Sequence, residues 1–215
     1  MIYMSFREML HEKTGISKNY LPGSYQIIGD VFLLKLLKIK SITQKKIIAE
    51  AIMHLFPRIK TVCEIKGVRG EFREPIVKRL AGNGTITIHK EHGILYKLDA
   101  SKIMFSKGNL FERKRILEQV KNDETVVDMF AGIGYFSLGI AKKAKKVYAI
   151  EKNPVAFRYL KENIRLNKIK NITAVNADCR KVKIKEKADR IIMGYFQTDR
   201  RTSGASGGSE KFLPF

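Results

Sequence analysis

The spacing of apolar residues changes character about halfway along the chain. Phe6, Met9 and Leu10 share one face of a helix within residues 1–20, and Leu21-Pro-Gly-Ser ends it as a turn. Ile27–Leu37 reads as a strand interrupted at Gly29-Asp30. Ser41 caps a helix to Pro57, with Ile42, Ile47, Ile48, Ala51, Ile52 and Leu55 as its apolar stripe. Thr61–Lys66 is a short strand. Thr85–His89 and Ile94–Leu98 alternate around Glu91-His92-Gly93 as a hairpin, and Lys102–Phe105 follows as a third strand. Asn109 caps a helix to about Lys121, with Leu110, Ile116, Leu117 and Val120 inward. These elements predict a small α+β domain with an antiparallel sheet.

Beyond it, compact apolar runs alternate with helical stretches. The strands are Thr125–Phe130, Val147–Ile150, Ile172–Ala177 and Arg190–Tyr195. Helices fall at Tyr135–Ala144 and from Pro154, well placed in a first turn, to Asn167. This order predicts an α/β, Rossmann-like parallel sheet with right-handed crossovers. Thr198–Ser209, TDRRTSGASGGS, has no apolar period, so the sheet reads as truncated after its fourth strand, which is left as an open edge. The predicted divisions are a helical segment 1–20, an α+β RNA-positioning domain 21–108, a Rossmann-like domain 109–197 and a low-complexity tail 198–215.

Charge adds a partner class. The 215 residues carry 42 Lys+Arg against 21 Asp+Glu, a net +21. Residues 1–120 hold 22 basic and 11 acidic side chains and residues 121–215 hold 20 and 10, so both halves favour a polyanion. No run approaches the ~18 apolar residues of a membrane span. The first residues lack the order of a secretory signal. Cys63 and Cys179 are far apart, which points to a reducing compartment, the cytoplasm, and away from a disulfide scaffold.

The chemistry centres on Asp128-Met-Phe130-Ala131-Gly132-Ile-Gly134-Tyr-Phe-Ser137, between a predicted strand and helix. Glycines there let the backbone approach a ligand, and a helix N-terminus offers free N–H groups. Ser137 keeps a dinucleotide fingerprint open. Asp128, four residues before the first glycine, favours S-adenosyl-L-methionine (AdoMet), with the carboxylate toward its amino group. Glu151 ends the second strand, placed for the ribose hydroxyls, and Asp178 ends the third, placed for an adenine amine. Each acid alone reads better as a helix cap or a loop carboxylate. Three at successive strand ends beside one glycine loop are less easily a coincidence. His89 and His92 flank Glu91 on a hairpin without a third ligand, so no metal is expected.

Phe105-Ser-Lys-Gly-Asn-Leu-Phe-Glu-Arg-Lys-Arg-Ile, with DMFAGIGYFS, IEKNP and NADCR, resembles the archaeal and eukaryotic tRNA enzymes acting on the guanosine 3′ of the anticodon. Leu21-Pro-Gly-Ser-Tyr-Gln-Ile-Ile-Gly-Asp and Gly70-Glu-Phe-Arg-Glu-Pro are similar to that family's N-terminal module. The family includes guanine-37 N1-methyltransferases and wybutosine-synthesising aminocarboxypropyltransferases. The methyltransferases carry Asn-Pro-Pro or Asn-Leu-Pro after the fourth strand, whereas Met193-Gly194-Tyr195 resembles the aminocarboxypropyltransferases. The resemblance implies AdoMet as group donor and the anticodon region of tRNA-Phe as acceptor, with no metal and no protein partner. It implies Ser106, Arg113, Asn153 and Cys179 in the donor pocket, with Arg113 forking onto the methionine carboxylate. Glu112 and Tyr195 are the implied catalytic positions, although Glu112 also reads as a first-turn carboxylate favoured by the helix dipole. Arg69, Arg73, Lys78 and Arg79 are the candidates for RNA phosphates. The family's fold carries further strands after the fourth, so a fragment that binds without turnover is the other expectation, beside a guanine-37 methyltransferase.

Overall fold

The computed structural model describes residues 4–106 and 110–194. Helix α1 (Phe6–Thr14) opens on a reciprocal cap: the Glu8 N–H donates to Ser5 Oγ and the Ser5 N–H to Glu8 Oε2 at 2.8 Å. Strands β1 (Tyr25–Ile28) and β2 (Val31–Leu34) pair antiparallel across Gly29-Asp30. Gly29 has φ 56° at the first turn position, the type II′ requirement, and its missing side chain leaves room for Thr87. What reads as one interrupted strand is thus a hairpin.

Helix α2 (Ile42–Leu55) then crosses to β3 (Thr61–Arg69), which pairs parallel with β2. The first sheet, β1-β2-β3-β4, is therefore mixed rather than antiparallel. Its edge, β4 (Glu74–Gly82), escapes the sequence pattern because EPIVKRLAG combines a proline with three charges and has no alternation. Ile42 and Ile47 of the expected stripe are exposed, whereas Lys45 is buried. Lys45 reaches Glu64 on β3 at 2.5 Å, and Glu64 Oε2 has no hydrogen-bond partner among the described residues.

Strands β5 (Ile86–Glu91) and β6 (Ile94–Asp99) form a separate hairpin. His92 and Gly93 at its tip both have positive φ, 46° and 73°, as a type I′ turn needs. Lys102–Phe105 is not a strand. Ser101 bonds the Asp99 carboxylate through its N–H and hydroxyl, and the Lys102 and Ile103 N–H groups return to the Asp99 carbonyl, closing a turn.

Helix α3 is Leu110–Gln119; Asn109, its expected cap, lies outside the described residues. Leu110 is exposed and Arg113 takes the inward position. The second sheet is parallel, in the order β10 (Arg190–Ile192), β7 (Thr125–Asp128), β8 (Lys146–Ile150), β9 (Ile172–Val175). Helix α4 (Ser137–Ile140) is only one turn, since the Lys142 and Lys143 N–H groups bond three residues back and tighten the chain. Helix α5 (Pro154–Leu166) carries Pro154 in its first turn, as expected.

One apolar cluster runs from Ile28, Leu33 and Cys63 through Ile94, Tyr96 and Leu98 to Ile133, Leu138 and Tyr159, so the hairpin shares a core with both sheets. A polar seam reinforces it. Asn163 of α5 accepts from the Lys97 N–H at 2.7 Å and donates to the Lys97 carbonyl at 3.1 Å. One turn on, Asn167 accepts from the Leu95 N–H at 2.9 Å and donates to the Leu95 carbonyl at 2.7 Å.

The buried Lys45–Glu64 pair gives a stability prediction. Removing Glu64 alone (Glu64→Ala) strands an ammonium in the core and is expected to cost about 3–5 kcal/mol in urea unfolding. The double change Lys45→Met, Glu64→Leu is expected to cost far less, or to stabilise.

Candidate active site

Strand β7 is buried along its whole length and ends at Asp128, which is fully buried. The loop that follows is fixed on both flanks: the Met129 N–H bonds the Ile192 carbonyl of β10, and the Ala131 N–H bonds the Ile150 carbonyl of β8. Gly132 and Gly134 have φ 57° and 101°, and a Cβ at either would lie 2.6 Å from Tyr135 or Leu138 atoms. Glycine is thus required here by backbone and by space.

The three strand-end acids fall into two electrostatic states. Asp128 accepts from Ser137 Oγ at 2.6 Å and from the Phe130 N–H at 3.3 Å. Burial nevertheless pushes its carboxyl up to about 6. Glu151 ends β8 and accepts from the Gly132 and Asn153 N–H groups, both at 2.7 Å. Burial raises this carboxyl as well, against those bonds. Asp178 follows β9, and Arg180 forks onto it at 2.9 and 2.5 Å. That guanidinium holds the Asp178 carboxyl well below its ordinary range. Ala131 is buried and Phe130 is 37% exposed beside the loop. Asn153 caps α5, accepting from the Val155 N–H at 2.9 Å, and Cys179, half-buried, opens a 3-10 turn. The carboxyl ends of β7, β8 and β9 and the glycine loop therefore gather Asp128, Phe130, Ala131, Gly132, Gly134, Glu151, Asn153, Asp178 and Cys179.

Arg113 is buried, but its fork faces Glu91 of β5, with Nε–Oε1 at 2.6 Å and Nη2–Oε2 at 2.9 Å. Nη2 also donates to the Ser106 carbonyl at 3.3 Å, and the guanidinium lies over the Phe105 ring. Two of its three nitrogens are thus engaged within the protein. Glu112 is paired with Arg115 at 2.8 and 2.5 Å, which holds it below the usual carboxylate range. It lines a cavity of about 290 Å³ with Ile116, Phe136, Arg190, Met193 and Gly194, on the β10 side. The three strand-end acids do not line that cavity. Tyr195 lies outside the described residues.

The basic candidates divide. Arg69 and Arg73 sit at the tip of the long β3–β4 hairpin, Arg69 3.6 Å from Glu74 and Arg73 at φ 51°. Lys78 and Arg79 are exposed neighbours on β4 and point to opposite faces. The tip also reaches the acid cluster, since Glu71 meets Lys152 at 2.5 Å and Lys152 lies 4.0 Å from Asp178. Sequence spacing does not show Glu91, Asn163 or Lys152 as parts of this region. Asn163 and Asn167 leave one signal, two amides four apart on a strongly amphipathic helix. Among the described residues no cluster of His, Cys, Asp and Glu is arranged to hold a metal ion, and no helix is long and apolar enough to cross a membrane.

Comparison with known proteins finds two family matches, which meet at the start of the β5–β6 hairpin. Residues 87–201 match the TRM5/TYW2 methyltransferase domain and residues 6–85 the TYW2 N-terminal domain. A tRNA(Phe) (4-demethylwyosine(37)-C(7)) aminocarboxypropyltransferase of Methanocaldococcus jannaschii is 49% identical over 176 residues, covering 80% of this chain and 67% of that protein. The tRNA (guanine(37)-N(1))-methyltransferase Trm5b of Pyrococcus abyssi is 39% identical over 193 residues, covering 88% and 57%. The crystal structure of Pyrococcus horikoshii TYW2 in complex with MeSAdo superposes with a TM-score of 0.72 at 42% identity, covering 88% of this chain and 70% of that one. The chain thus spans about two thirds of its aminocarboxypropyltransferase relative and 57% of the methyltransferase.

Asp128 generates a pH prediction. Its folded value, about 6, lies above the ordinary 3.8, so the folded protein binds the proton more tightly and this group's contribution to stability declines as pH rises from about 4 to 6. Urea unfolding of the unaltered chain minus that of Asp128→Asn is expected to fall by about 3 kcal/mol across that window. A flat difference would show that the carboxyl is not strained by burial.

Proposed function

Because the chain belongs to the TRM5/TYW2 methyltransferase domain family, we propose that it transfers the 3-amino-3-carboxypropyl group of AdoMet to C7 of 4-demethylwyosine at position 37 of tRNA-Phe. The observation carrying this choice is identity: 49% to an aminocarboxypropyltransferase against 39% to a guanine-37 methyltransferase. Met193-Gly194 after β10 supports it. A side chain at Gly194 would come within 3.0 Å of the Phe136 ring, so this loop is narrow beside the cavity.

The transfer forms a bond from base C7 to Cγ of the methionine chain and breaks the Cγ–S bond. The electron pair stays on sulfur, giving methylthioadenosine, and the C7 proton leaves to a base. Orientation decides which sulfonium substituent is delivered. The site residues divide this work. Asp178, held ionised by Arg180, suits an acceptor for the adenine amino group, and Glu151 suits the ribose hydroxyls. Asp128 places negative charge beneath the loop, toward the donor's ammonium end. Ser106 and Arg113 hold the methionine carboxylate, for which the Arg113 Nη1 group has no partner among the described residues. Among the described residues Glu112 is the one carboxylate lining the β10-side cavity, and Arg115 keeps it ionised for the C7 proton. We place the reaction in the reducing cytoplasm, as the two unpaired cysteines suit, with no protein partner required.

The second reading is methyl transfer to guanosine-37, kept open by the 39% relative. A third is donor binding without turnover by a chain of this span. AdoMet labelled separately in its methyl group and its methionine chain separates all three when incubated with tRNA-Phe bearing 4-demethylwyosine. We expect label from the methionine chain on the tRNA and methylthioadenosine as co-product. Label arriving only from the methyl group favours the methyltransferase, and tight AdoMet binding without product favours the third.

The RNA surface has its own expected outcome. Replacing Arg69, Arg73, Lys78 and Arg79 by alanine is expected to weaken tRNA binding and to flatten its salt dependence, by roughly 0.7–0.9 in log–log slope for each phosphate no longer neutralised. An unchanged slope moves the RNA surface elsewhere.

A further inference from the structure

The glycine loop is shaped from outside its own strand–loop–helix unit. The Ile133 carbonyl, between the two glycines, accepts from Asn163 Nδ2 at 3.0 Å. The same amide donates to the Lys97 carbonyl and accepts from the Lys97 N–H on β6. Asn163 is fully buried, so these three bonds satisfy it without water. Two residues along the loop, the Tyr135 carbonyl accepts from the Tyr96 hydroxyl of β6 at 3.2 Å.

From these bonds we infer that Asn163 is a positioning residue for donor binding: it fixes the Ile133–Gly134 peptide by reference to the β5–β6 hairpin. The inference rests on the reading of the glycine loop as the AdoMet site. A trans peptide points its N–H away from its carbonyl. Pinning the Ile133 carbonyl therefore orients the Gly134 N–H, which closes the loop on the Ala131 carbonyl at 2.8 Å. Gly134, at φ 101°, has no intrinsic preference strong enough to hold that geometry alone. Without the amide the buried carbonyl loses its donor, and the loop must rearrange to find another.

Asn167 is the internal control. It makes the same pair of bonds to the hairpin, and its remaining bond goes to the Asn163 carbonyl rather than to the loop. The test measures urea stability and AdoMet affinity of the full chain by calorimetry. Asn163→Ala and Asn167→Ala are both expected to lower the unfolding midpoint, but only Asn163→Ala to weaken AdoMet, by about tenfold, the scale of one buried hydrogen bond. Equal weakening in both variants, or undiminished affinity in Asn163→Ala, overturns the inference and leaves a structural clamp. Should Asn163→Ala fail to fold, Asn163→Asp, which lacks the donor, and Tyr96→Phe, which removes only the hydroxyl, carry the comparison. Undiminished affinity in both overturns it likewise. No AdoMet binding by the unaltered chain overturns the donor-site reading together with this one.

Discussion

The fold depends on a match between two repeats. Four residues along a helix advance about 6.0 Å, and two residues along a strand about 6.6 Å. Asn163 and Asn167 use that near-coincidence to pair with Lys97 and Leu95 in turn, so a helix takes the place of a neighbouring strand. The outer edge of β6 is thereby closed, where an open edge would invite pairing with another chain. Through the same seam the hairpin becomes the wall on which the glycine loop is set. The two family matches divide at residues 85 and 87, at the start of that hairpin.

Around the loop, identical chemistry is driven to opposite ends of its range. Asp128 and Asp178 are both strand-end aspartates. One lies in a dry core, with two hydrogen bonds that do not offset its burial, and the other accepts a guanidinium fork. A cluster of three fully ionised carboxylates would repel itself. Here proton affinity is graded: burial raises it at Asp128 and Glu151, and the Arg180 guanidinium lowers it at Asp178. Arg113 shows the same economy with the sign reversed, since its buried charge is balanced by Glu91.

The parts legible in the sequence were those set by local rules. His92-Gly93 declares a turn, Pro154 declares a helix start, and compact apolar strands declare a parallel sheet, whereas Gly29-Asp30 reads only as an interruption of one strand. The glycine–acid constellation is legible because Asp128 lies near the end of one predicted strand and Glu151 and Asp178 directly follow two others. The rest depends on distant pairing. Nothing near Glu74–Gly82 marks a strand, because the edge strand takes its conformation from β3. Nothing near Glu91 announces a guanidinium 22 residues away. Lys45 sits where an apolar stripe requires a hydrophobe, and only Glu64, 19 residues on, makes that position tolerable. Among the described residues β10 stands at the end of its sheet order.

The asparagine seam also sets a clock. Its bonds join residues 66 and 72 positions apart, so the hairpin is synthesised well before the helix that covers it. At roughly 5–20 residues per second, translation leaves the outer edge of β6 uncovered for on the order of 4–14 seconds. During that interval the nascent chain presents a bare strand edge bearing Leu95 and Lys97, and the lysine is then its principal guard against pairing with a neighbour on the same polysome.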